Sequence, residues 1–79
     1  MRYHIHASCG PNATQHQTSS VSHAAAWVTD LAVIADTVIV FDHSDPEDGY
    51  LEISDGAVSR NGTLSAGLIE IAVILEQNL

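Results

Sequence analysis

Apolar and polar residues alternate with period two from Tyr3 to Ser8. Tyr3, Ile5 and Ala7 fall on one side, and His4, His6 and Ser8 on the other, the pattern of a half-buried strand. Cys9-Gly10-Pro11-Asn12 reads as its end, because Gly and Pro punctuate regular structure, and a polar loop is expected up to about Ser20. The period then changes. At 100° per residue Val21, Ala24, Val28, Leu31, Ala32 and Ala35 share one side, with Trp27 and Ile34 at its margin. Ser22, His23, Thr29, Asp30 and Asp36 take the other side. This predicts an amphipathic helix over residues 20–36, capped by Ser19 or Ser20.

Thr37 to Phe41 (TVIVF) is β-branched and continuous, as in a strand covered on both faces or nearly so. Ser44-Asp45-Pro46-Glu47-Asp48-Gly49 has turn composition. Tyr50 to Ser54 alternates, with Leu51 and Ile53 inward, and Asp55-Gly56 predicts a two-residue hairpin that pairs Ile53 with Val58. A short strand ends near Arg60. After Asn61-Gly62, Thr63 is placed to cap a final segment. There Leu64, Leu68, Ile71, Ala72, Ile74 and Leu75 cluster on a helical wheel, although Ile69, Ile71, Val73 and Leu75 also alternate as a strand would. Helix is favoured, since a strand would require a buried Glu70 or an exposed face.

The expected fold is therefore an α+β single domain over residues 1–79, a small two-layer sandwich of order β-α-β-β-β-α. Its four-stranded mixed sheet carries both helices on one face, with a right-handed crossover making the first two strands parallel. The other face is then bare. It would carry His4, His6, Ser8, Glu52 and either Val38 and Val40 or Ile39 and Phe41. Such a partly apolar patch marks an interface, with a second copy or a foreign partner. A chain of 79 residues has a small core, and its lone cysteine cannot form an internal disulfide, which also favours association.

Charge sharpens the picture. Ten acidic side chains face Arg2 and Arg60 alone, a formal net charge of −8. Asp36, Asp42, Asp45, Glu47, Asp48, Glu52 and Asp55 crowd one stretch that holds no Lys or Arg. Such a surface repels nucleic acid and anionic membranes and attracts basic protein surfaces. No secretory leader and no run of roughly 20 apolar residues is seen, so a cytoplasmic protein with a reduced thiol is expected. The triplets at Asn12 and Asn61 are then chance matches to the glycosylation signal.

Chemical signatures are weak. His4 and His6 project from one strand face, roughly 7 Å apart at the backbone, and Asp42 or His43 could add a third metal ligand. Cys9 could be a nucleophile with a nearby histidine as base, but it lacks an arginine-bearing anion loop and an identifiable third group. Asp42 to Asp48 matches a calcium loop in acid density only. No phosphate cradle, Cys-x-x-Cys pair or facing carboxylates are evident. The sequence thus predicts a binding protein that is not an enzyme and has no cofactor. Asp42, Asp45, Glu47, Asp48, Glu52 and Asp55 would form a rigid acidic rim that occludes a basic, nucleic-acid-binding surface of a protein partner. Phage-encoded inhibitors of bacterial defence, such as anti-CRISPR proteins, are comparable in size and charge alone. The alternatives are a metal or thiol site built from His4, His6 and Cys9, or a dimerising accessory subunit.

Overall fold

The computed structural model describes residues 2–44 and 48–79. The elements are β1 (Tyr3–Cys9), β2 (Asn12–Thr18), α1 (Val21–Ile34), β3 (Thr37–Asp42), β4 (Tyr50–Ser54), β5 (Ala57–Asn61) and α2 (Ala66–Asn78). The five strands form one sheet in the order β2-β1-β3-β4-β5, with every pair antiparallel. The α+β class and the shared helix face agree with expectation. The four-stranded mixed sheet and the parallel first crossover do not.

One element accounts for both differences. Residues 12–18 are a strand, β2, hydrogen-bonded along β1 from Cys9↔Asn12 to Tyr3↔Thr18. Gly10 takes φ 57°, so Gly10-Pro11 closes a two-residue hairpin instead of ending the strand in a loop. That hairpin returns the chain to the end of the sheet where β1 began. Helix α1 then carries it back, and β3 enters antiparallel to β1, with Tyr3 opposite Asp42 and Ser8 opposite Thr37. At the other hairpin Asp55 (φ 52°) and Gly56 (φ 75°) make the primed turn, and Ile53 faces Val58 as expected.

Helix α1 starts at its Ser20 cap, whose hydroxyl accepts the His23 N–H at 3.3 Å. The C-terminal segment is a helix, but its cap is Ser65 and not Thr63. The Ser65 hydroxyl accepts the Leu68 N–H at 3.2 Å while donating to the Asp42 carboxylate at 2.6 Å, which fixes the start two residues later. The core joins one sheet face (Tyr3, Ile5, Ala7, Val38, Val40, Leu51 and Ile53) to Ala24, Ala25 and Val28 of α1 and Leu68, Ile71, Ala72 and Leu75 of α2. Glu70 is exposed, which removes the strand alternative. Strand β3 is covered on one side only. Val38 and Val40 are buried, whereas Ile39 is half-buried and Phe41 is 36% exposed.

Candidate functional site

Both helices lie on one side of the sheet, so side-chain alternation assigns the rest to an uncovered face. Two rows cross that face from edge to edge. One runs Gln17–His4–Phe41–Tyr50–Asn61, the other Gln15–His6–Ile39–Glu52–Ser59. Aromatic rings link the strands. His6 meets Phe41 edge-on at 5.6 Å between centroids, and Phe41 lies 5.9 Å from Tyr50. The ring of His43, just beyond β3, sits 3.7 Å from that of His4. The centre of the face is thus aromatic and aliphatic, and Glu52 is the carboxylate set among these groups.

The expected acidic rim is only partly assembled. Asp42 is not part of an exposed rim. It lies opposite Tyr3 on the helix-covered side, and its side chain is 1% exposed. Arg2 donates from Nε to both carboxylate oxygens at 3.0 and 3.1 Å and from Nη2 at 2.9 Å. The Ser65 hydroxyl donates at 2.6 Å and the Ser44 N–H at 3.0 Å. Burial by itself would raise this carboxyl. The hydrogen bonds from Arg2, Ser65 and Ser44, with the charge of Arg2, outweigh burial and hold it below the ordinary carboxylate range. Asp42 is thus a structural tie between β3, the N-terminus and the start of α2.

Asp45 and Glu47 lie outside the described residues. Asp48 and Asp55 are exposed at opposite ends of β4, and Glu52 is half-buried mid-strand. These three span roughly 20 Å along one strand direction. They share one half of the sheet but not a single edge, because Glu52 points out of the sheet plane while the other two occupy connections. Asp36 is tied elsewhere, accepting the Gly10 N–H at 2.8 Å.

The metal and thiol alternatives are not brought together. His4 and His6 are on the uncovered face, whereas Cys9 shares the parity of Tyr3, Ile5 and Ala7 on the helix side. The thiol is exposed and donates to the Ile34 carbonyl at 3.2 Å. Of the two candidate third ligands, Asp42 points away from His4 and His6, while His43 lies against His4. Among the described residues no three of His, Cys, Asp or Glu converge where a metal ion would sit.

Gln15, Gln17, Tyr50 and Asn61 on the uncovered face are not among the residues that the sequence pattern assigns to it. Gln15 and Gln17 were hidden by taking β2 for a loop. The available signal was a Gly-first two-residue turn followed by a segment with β-branched Thr14 and Thr18. No helix among the described residues is long and apolar enough to cross a membrane. No protein family, curated protein or solved structure matches this chain.

Proposed function

We propose that the chain is a small, acidic, non-enzymatic binding module that docks through its uncovered sheet face on a protein partner with a basic surface. The observation that carries this reading is the face itself: Phe41, Ile39 and Tyr50 at the centre, imidazoles beside them, and Glu52 within. An aromatic centre with a polar surround is the composition of a protein interface. Charge supplies the partner's sign. Each arginine is engaged by a carboxylate, Arg2 by Asp42 and Arg60 by Glu76 at 2.5 Å, and the chain as a whole keeps its −8. Such a field accelerates encounter with a basic groove and disfavours direct nucleic-acid binding. Occlusion of a partner's nucleic-acid-binding surface, the strategy of phage-encoded anti-CRISPR proteins, fits a rigid sheet that loses little entropy on docking.

The test captures partners from host lysate with the wild-type chain and compares two variants on each captured protein. Ile39→Ser/Phe41→Ser removes the apolar centre, and Asp48→Lys/Glu52→Lys/Asp55→Lys reverses the charge. Each should weaken binding by more than about tenfold, added salt should weaken it further, and the chain should displace the partner's nucleic acid. Binding that ignores both variants and salt would overturn the proposal.

A further inference from the structure

The sheet has two edges, and they differ. Strand β5 has five residues and carries Arg60, which is held by Glu76 of α2. Short length and a charged side chain are ordinary protections of an exposed edge. Strand β2 has neither. Its seven residues, NATQHQT, contain no charge and no proline, and their ladder with β1 is unbroken by a bulge. The two-residue turn makes Cys9 and Asn12 a hydrogen-bonded pair, so Asn12, Thr14, His16 and Thr18 bond to β1. The backbone groups of Ala13, Gln15 and Gln17 therefore point outward, unpaired, along the free edge.

Beside this edge lies an apolar groove of about 150 Å³ between β2 and the last turns of α1, lined by Ala7, Thr14, Leu31, Ile34 and Ala35. Along α1, Trp27, Leu31 and Ile34 form a stripe on the β2 side. Trp27 packs on the rings of His16 at 5.2 Å and His23 at 5.7 Å. Ile34 is 69% exposed although it lines the groove.

The charge distribution selects the occupant. No Asp, Glu, Lys or Arg occurs from Tyr3 to Thr29, so β1, β2 and the first half of α1 are uncharged in a chain of net charge −8. Two copies repel one another over most orientations. The β2 edge lies in this uncharged stretch and carries no carboxylate of its own; the acids beside it are Asp30, exposed on α1 next to the stripe, and Asp36, whose carboxylate is held by the Gly10 N–H at the β1–β2 turn. We propose that β2 is a homodimer interface. Two copies pair their β2 strands antiparallel about a two-fold axis near Gln15, the middle residue, extending the sheet across both. The two α1 stripes then meet over the seam on the helix side, covering Ile34 and the groove. This pairing leaves the uncovered faces of both copies open, so it is independent of the partner-docking reading.

Sedimentation velocity over a concentration series tests it, at low and at high salt. The wild-type chain should dimerise, and more tightly as salt screens the like charges, the opposite trend from docking on a basic partner. Gln15→Pro removes an outward N–H without touching the β1 ladder, and Ile34→Glu charges an exposed stripe position. Each should raise the dimer dissociation constant by more than about tenfold, with the circular dichroism of the folded chain retained. Val33→Glu makes the same charge change on the solvent side of α1, where Val33 is 81% exposed, and should leave dimerisation unchanged. A strict monomer up to ~1 mM overturns the proposal. So does a dimer that survives Ile34→Glu but is lost in Ile39→Ser/Phe41→Ser, since that dimer would use the uncovered face.

Discussion

Removing the Asp42 carboxylate should cost more than removing either of its side-chain partners. Asp42→Ala deletes the acceptor for Arg2, Ser65 and Ser44 at once. A hydrogen bond to a charged acceptor is worth roughly 1.5–3 kcal/mol, and those from Ser65 and Ser44 converge on a side chain only 1% exposed. The Arg2 side chain is 41% exposed, so water screens its share to about 1 kcal/mol or less. The contributions overlap, because Ser65 can turn its hydroxyl elsewhere once the carboxylate is gone. A net loss of about 3 kcal/mol follows. Ser65→Ala, which removes the α2 cap, should cost about 1–2 kcal/mol, and Arg2→Ala about 1 kcal/mol.

Urea unfolding followed by far-ultraviolet circular dichroism measures all three, and a double-mutant cycle should show Asp42 and Ser65 coupled. The pH dependence has a definite sign. The folded-state pKa of Asp42 lies below the ordinary 3.8. Its stabilisation is therefore complete above the unfolded value and is lost as pH falls through the lower folded value. The stability gap between wild type and Asp42→Asn should be full at neutral pH and shrink only in strong acid. A loss below about 0.5 kcal/mol for Asp42→Ala, or a gap indifferent to acid, would refute the assignment of Asp42 as a structural tie.

Other outcomes follow from the packing. Ile71→Ala opens a cavity at a fully buried position between α2 and the sheet, so its midpoint in urea should fall by an amount equal to about 2–5 kcal/mol. Gly67→Ala would drive a methyl group into the Tyr3 hydroxyl, which lies against the helix at that point; differential scanning calorimetry should show a clearly lower Tm despite the better helix propensity of alanine. Cys9→Ser should leave thermal stability within about 0.5 kcal/mol of wild type, since the thiol is exposed and a hydroxyl can donate to the same Ile34 carbonyl.

Much of the fold was legible wherever burial repeats along the chain. The alternation of Tyr3, Ile5 and Ala7, the α1 stripe with its Ser20 cap, and the Asp55-Gly56 hairpin all reappear with their expected faces. Strand β2 was not legible, because both of its sides are polar and its stability comes from backbone pairing with β1 instead of from burial of its own side chains. The error spread to topology: missing one strand inverted the direction of β3 relative to β1. The candidate site was half legible. His4, His6 and Glu52 were placed on the uncovered face, but the choice between Val38/Val40 and Ile39/Phe41 depended on register with a neighbouring strand.

Local composition by itself pointed to the types of the elements other than β2, the inward faces of β1 and β4, and the excess negative charge, since each depends on residue spacing or on counting. Only the tertiary structure decided what became of individual charges and surfaces. Asp42 and Asp48 look alike in the chain. One meets Arg2 and Ser65 across the end of the sheet and is buried, and the other remains in water. The difference arises from partners remote in sequence, and a carboxylate can leave solvent only where such donors have already been assembled by the fold.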